Sequence, residues 1–287
     1  MFRVKSKVYN MDFWGIPKIA LDNDNILFER LGTWKEYNEI REKIRKEHVH
    51  YQTGWLTINV PPEIKDVDDA KKYSYDLIDK LHLMLSFAHG HDVPIHELII
   101  YEVSINQEIL KTHEISSIWT GKAYPNSLNV YSHGLKAFLE TASPLLSDDN
   151  FVSKTKVVLA MRYYNVATSF DFVEIMFMLL WPGLEAMANA FYKKNPPSQS
   201  IKGIKEKISY MLKSPEYQMD QYIDDVKRMY DDIRVRLFHG GSVDWRKHFS
   251  DVLKLKRLME KVIFKTLNFY DNDLIYHAIK EDDLLAR

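Results

Sequence analysis

The sequence predicts two domains of different class: an α+β domain over residues 1–145, followed by an all-α helical bundle over residues 151–287. Three observations predict this. The first half mixes alternating, period-two stretches with one long helical pattern. The second half carries only helical periodicity. Between them, residues 141–153 hold Pro144, Ser147, Asp148, Asp149 and Asn150, a cluster of turn and cap residues that suits a domain join.

In the first half, residues 2–14 and 26–31 read as strands. Residues 54–60 alternate large apolar and polar side chains and stop at Pro61-Pro62, which suits a strand running into a turn. Residues 66–88 read as a helix. Asp66 is its cap, and Leu77, Leu81, Met84, Leu85 and Ala88 share one stripe. Residues 98–105, rich in branched apolar side chains, form the strongest strand pattern in the chain. The mixture is that of an α+β domain.

In the second half, residues 154–167 predict one helix. Residues 170–194 predict a long, almost wholly apolar one, bent at Pro182 and ended by Asn195-Pro196-Pro197. Helices over 201–212 and 216–238 follow, the latter closed by Gly240-Gly241. The last runs over 244–269. A mostly apolar helix among amphipathic ones is the pattern of a bundle. The 175–192 stretch contains Glu185, Asn189 and Pro182-Gly183, so it reads as a buried core helix rather than a membrane span.

Composition narrows the function classes. The apolar share of 46% and charged share of 28% are those of a globular protein. There is no cysteine, which excludes disulfides, thiolate metal sites and a thiol nucleophile and suits a cytoplasmic setting. The N-terminus has charges without an apolar stretch behind them and does not read as a secretory signal. Net charge is −1, but residues 1–150 hold 17 basic against 22 acidic side chains, and residues 151–287 hold 22 against 18. The C-terminal half is thus mildly basic, which is compatible with a polyanion ligand.

No phosphate-binding Gly loop, dinucleotide fingerprint or Gly-x-Ser-x-Gly elbow occurs, and no cofactor is predicted. His48 and His50, and His89, His91 and His96 around Asp92, meet none of the standard zinc spacings. They read as solvated loop histidines, and no metal site is predicted. The run over residues 41–46 alternates sign and reads as a solvated helix face, as does the basic side of the last helix, Lys254, Lys256, Arg257, Lys261 and Lys265.

The helix before Gly240 stands out. Met219, Ile223, Val226, Tyr230, Ile233 and Leu237 fall at steps of four and three, one continuous apolar seam. Arg234 flanks that seam, and Arg236 points elsewhere. His239 follows Arg234 by five residues, about 140° away on an ideal helix of 3.6 residues per turn. The two converge on one helix only if its end loosens, which Gly240-Gly241 would permit.

The stretch Tyr230-Asp231-Asp232-Ile233-Arg234-Val235-Arg236-Leu237-Phe238-His239-Gly240-Gly241 resembles the signature of HEPN domains: an Arg, four to six intervening residues, then a His near a helix end. With His-Gly and an upstream Leu184-Glu185-Ala186 segment it is similar to the Apea-like HEPN group. The resemblance spans roughly residues 155–270, about 40% of the chain. It implies a metal-independent endoribonuclease of a defence or stress-response system, acting at the cleft of a homodimer. Arg234 and His239 would be catalytic. Arg236, Glu185 and Gly240 would support them or touch RNA, and the N-terminal domain would sense or regulate. The residue after the Arg, often Asn, Asp or His in ribonuclease members, is Val235 here.

The chemistry stands beside the resemblance. Cleaving RNA without a metal needs a base for the 2′-OH proton, an acid for the leaving oxygen and a cation for the charged phosphorane. Histidine titrates near neutrality, and arginine offers phosphate a planar fork. One His cannot flank both sides of a phosphorus, so a two-fold dimer supplies the second. The alternatives stay open. Arg234 could pair with Asp231, Asp232 or Glu185 as a structural clasp, and His239 could serve the helix dipole. The chain would then be a non-catalytic module that binds RNA or a protein partner.

Overall fold

The computed structural model describes residues 1–13, 15–47, 51–104, 106, 108–115, 130, 132–169, 172–239, 241–269 and 274–275. The chain is mixed α+β and divides into two units: residues 1–143 with 271–278, and residues 144–270 with 279–287.

The first unit is built on one antiparallel sheet of strands β1 (Phe2–Tyr9), β2 (Lys18–Leu21), β3 (Ile26–Arg30), β4 (Gln52–Asn59), β5 (Ile95–Val103) and β6 (Ile109–Ile115). Their order is β2-β3-β4-β1-β5-β6, with every pair antiparallel. β1 therefore lies between β4 and β5, which run parallel to each other and need a crossover. Helix α2 (Val67–His89) supplies it and packs on β1 and β5. Strict alternation makes this possible. Phe2, Val4, Ser6 and Val8 are buried and the residues between them are not, so β1 offers one apolar face. Asp66 caps α2 through Asp68 N (2.8 Å) and Asp69 N (3.3 Å), and Gly90, at φ +65°, ends it. Ile78 rather than Leu77 is the buried member of the stripe.

Helix α1 (Trp34–Glu47) joins β3 to β4. The charge run over residues 41–46 lies on it: Glu42 and Lys43 are exposed, but Arg41 pairs with Asp12 (3.6 Å) instead of standing in solvent. β2 and β6 lack any sequence expectation: β2 is only four residues long, and β6 (ILKTHEI) has little apolar alternation.

The histidines at the end of α2 and beyond it are a correction. His89 and His91 are buried. Leu85 O accepts from His89 Nδ1 (2.8 Å), Asp12 N–H donates to His89 Nε2 (2.9 Å), and His91 Nε2 donates to Asn10 O (3.0 Å). Tyr37 donates to Asp12 Oδ1 (2.6 Å) and accepts from Phe13 N (2.8 Å). Burial, and then the neighbouring His91, push His89 down to about 4, so it is neutral at physiological pH. Asp92 is taken by His82 Nε2 at 2.7 Å, and His96 meets the edge of Tyr9. No group of three metal-ligating side chains occurs among the described residues. His48 and His50 lie outside the described residues.

The expected join at residues 141–153 is largely helical. Helix α3 (Leu135–Ser147) contains Pro144, and the unit boundary falls inside it. Asp148 then caps α4 (Asp149–Thr155) through Asn150 N (2.9 Å). Lys156, at φ +60°, breaks the expected 154–167 helix, so that α5 is Val157–Thr168.

The described residues of the second unit continue with α6 (Val173–Lys194), α7 (Ile204–Lys213), α8 (Ile223–Met229), a π-helical turn (Tyr230–Arg234), α9 (Val235–Phe238) and α10 (Trp245–Thr266), capped by Asp244. Helix α6 packs on α5, α7 and α10. Gly183 permits the close approach: a Cβ there would come within 2.9 Å of Met259 Cε and 3.6 Å of Ala160 Cα. No helix among the described residues is long and apolar enough to cross a membrane. Leu274 and Ile275 belong to the first unit, where Ile275 bridges Val130.

Polar groups pin the helices laterally. Glu260 of α10 is buried and accepts from Tyr164 (2.6 Å), Lys256 (2.6 Å) and Arg257 (3.0 Å). Burial opposes its charge, but the two cations beside it hold the carboxyl below its ordinary value. Asp251, also buried, takes Arg228 (2.6 Å) and His248 (2.9 Å).

Candidate functional site

The segment that carries Arg234 is one helical run, α8 through α9, with the π turn at its centre. Its hydrogen bond runs from Val235 N–H to Tyr230 O, one residue longer than an α turn. Met219, Ile223, Val226, Met229 and Ile233 are buried, while Tyr230, expected on the seam, is half-buried.

Two rings of the same run flank Arg234. Tyr230 stands four residues before it and Phe238 four after, and the guanidinium carbon lies 5.5 Å and 5.2 Å from their ring centroids. Cation–π attraction at such distances contributes about 0.5–1 kcal/mol per exposed ring. The Arg234 Nε–H donates to Glu185 Oε1 at 3.3 Å, with both side chains about a quarter exposed. The same oxygen accepts from Trp181 Nε1 at 2.7 Å. Trp181 is buried, stacks on Phe177 (5.4 Å) and meets Tyr230 (6.3 Å). Of the three acids offered as partners by the sequence, the structure selects Glu185. Asp231 pairs instead with Lys205 (3.0 Å), whose ammonium lies 5.2 Å from the Tyr230 ring and is held above its ordinary range mainly by the Asp231 hydrogen bond.

The terminal nitrogens of Arg234 make no hydrogen bond among the described residues. An arginine oriented through Nε, with its outer edge uncommitted, presents two parallel donors to an oxyanion. Its orientation is fixed before any ligand arrives, so less entropy is lost on binding.

His239 is exposed and keeps an α bond, its N–H donating to Val235 O at 3.1 Å. Gly241 N–H donates to Arg236 O at 2.8 Å. The helix end therefore does not loosen. The departure from α geometry lies upstream of Arg234, in the π turn, and leaves the 234–239 register α-helical. No hydrogen bond, ion pair or ring contact joins His239 to Arg234 among the described residues. Arg236 is exposed. Gly240 lies outside the described residues.

Sequence reasoning missed Trp181, Tyr230, Phe238 and Lys205 as parts of the site. The first three were within reach: Trp181 stands four residues before Glu185, and Tyr230 and Phe238 bracket Arg234 at steps of four, the spacing at which helical side chains meet. Lys205 comes from another helix and left no such signal.

Large apolar side chains remain exposed nearby. Phe238 is 47% exposed and Met178, seven residues before Glu185 on α6, is 46% exposed. Comparison with known protein families, with curated proteins and with solved structures gave no match to this chain.

Proposed function

We propose that the chain is a metal-independent endoribonuclease whose helical second unit is a HEPN-like bundle acting as a homodimer. The observation that carries the reading is the pre-oriented Arg234. It is held by Glu185 through one nitrogen, flanked by two rings and left with its outer edge uncommitted, five residues before an exposed His239.

In this reading Arg234 binds the scissile phosphate and stabilises the added negative charge as the 2′-oxygen attacks phosphorus. One His239 takes the 2′-OH proton. The other, from the second protomer, donates a proton to the departing 5′-oxygen. The products are a 2′,3′-cyclic phosphate and a 5′-OH end, with one proton taken and one given. The exposed Phe238 and Met178 provide apolar surface of the kind that an isologous contact covers. The first unit senses or regulates.

One observation favours a second reading. Arg234 already has a carboxylate partner, and the residue after it is Val235. A Trp181–Glu185–Arg234 clasp in a non-catalytic module that binds RNA or a protein would account for both. Incubation of the purified protein with total RNA in EDTA separates the two. The ribonuclease reading expects cleavage with cyclic-phosphate ends. Intact RNA under all conditions, from a protein shown to be folded, would leave the clasp.

A further inference from the structure

Two sets of basic side chains in the second unit differ sharply. Those of α10, which the sequence offered as a basic face, are committed within the protein: Lys254 to Asp225, Lys256 and Arg257 to Glu260, Lys261 to Tyr222, and Lys265 to the Tyr217 carbonyl. Lys154, Lys156, Lys193 and Lys194 are different. All four are exposed and line one groove of about 750 Å³ between the α4–α5 junction and the C-terminal turns of α6. None forms an ion pair or hydrogen bond among the described residues, and no acidic side chain lines the groove.

We propose that this groove is a binding track for the phosphodiester backbone of single-stranded RNA, an inference that rests on the RNA reading above. The bland account is that Lys154, Lys193 and Lys194 occupy the last turns of their helices and complement the dipole. A helix C-terminus carries only about half a negative charge, and that of α4 abuts the opposite end of α5. The dipoles therefore leave most of four ammonium charges uncompensated.

Lysines on both walls suit a linear polyanion passing between them. Leu159, 41% exposed, and Asn189 add an apolar and a hydrogen-bonding surface at the same place. The groove is also connected to the Arg234 site. Asn189 accepts from Lys207 of α7 (3.1 Å), and Lys205, two residues earlier, pairs with Asp231 and lies against Tyr230. A strand held in the groove would thus lie on α6, the helix whose Glu185 holds Arg234.

The test is binding of a labelled single-stranded RNA oligonucleotide to the full-length chain carrying His239→Ala, in EDTA, across a salt series. Each phosphate contact on a single strand contributes about 0.7 to the slope of log affinity against log salt. Lys154→Ala/Lys193→Ala should lower the slope by about 1.4 and weaken binding roughly tenfold. Lys156→Gly should lower it by about 0.7 without loss of melting temperature, because glycine adopts positive φ without strain. Lys213→Ala, an exposed lysine outside the groove, controls for net charge and should leave the slope unchanged. The proposal is overturned if the groove variants behave like Lys213→Ala, if RNA is not bound, or if anionic phosphatidylserine vesicles bind through these lysines and RNA does not. Groove-dependent binding without any cleavage by the unsubstituted chain would remove the ribonuclease reading and leave the groove. Cleavage with groove-independent binding would do the reverse.

Discussion

Arg234 is a cation whose freedom has been removed from three sides: a carboxylate on Nε and a ring to either side. If it and His239 form the reacting set, His239→Ala lowers cleavage by roughly 10²–10⁴-fold, the usual worth of a general acid or base. Arg234→Ala then costs a comparable few kcal/mol of barrier, and the double variant is little worse than either alone. Stability responds weakly, because a quarter-exposed ion pair contributes about 1 kcal/mol or less. Melting curves decide the matter: if both single variants melt sharply lower and the parent cuts no RNA, the pair is a clasp. His89 gives a second expectation at this scale. Its folded-state value lies near 4, below the ordinary histidine value, because it is buried and stands beside His91; its Nε2 accepts from Asp12 N. Between about pH 6.5 and 4 the unfolded chain binds a proton that the folded one refuses, so stability present above 6.5 is lost as pH falls. The loss approaches about 1.4 kcal/mol per pH unit within that window and levels off below it. Denaturant titrations at several pH values measure it, and His89→Gln, which keeps an acceptor for Asp12 N, should flatten the dependence.

At the scale of elements, the π turn and the buried carboxylates govern the second unit. The π turn spans Tyr230 to Arg234, the pair whose ring and guanidinium lie 5.5 Å apart. Glu260 ties α10 to Tyr164 of α5 and is surrounded by its own donors. Removing the carboxylate leaves Lys256 without its partner, and breaking such a buried set costs about 3–5 kcal/mol. We expect Glu260→Ala to unfold the helical unit at markedly lower denaturant. Lys254→Ala, on the same helix but half-buried, should shift it by about 1 kcal/mol or less. Equal midpoints for the two variants would contradict the account.

At the scale of the whole molecule, the two units are not cut cleanly along the chain. The expected division at 145–151 falls near the observed boundary, but that boundary lies within α3, and Leu274 and Ile275 return to the first unit. A fragment of residues 144–270 therefore contains the described helices of the second unit and omits the returning segment. Such a fragment should melt cooperatively and retain helical circular dichroism. A non-cooperative melt would show that the first unit completes its core. Expression of residues 1–143 without the returning segment should give the less stable product, since Val130 then lacks Ile275.

The sequence by itself determined whatever depends on neighbours along the chain. The one-faced alternation of β1, the Asp66 cap, the long apolar helix around Pro182 and the helical character of the second unit follow from local periodicity and capping chemistry. So does the position of Arg234 beside an apolar seam. Tertiary structure decided whatever depends on which distant groups share a space. It chose Glu185 over Asp231 and Asp232 as the partner of Arg234, and committed the lysines of α10 while leaving those of the α4–α6 groove uncommitted. It also buried His89 and His91, which read as solvated loop residues in one dimension. The physical reason is that a charge or an imidazole has no fixed preference of its own. Its state is set by burial and by opposite charge within a few ångströms, and those are brought together by packing between segments tens of residues apart.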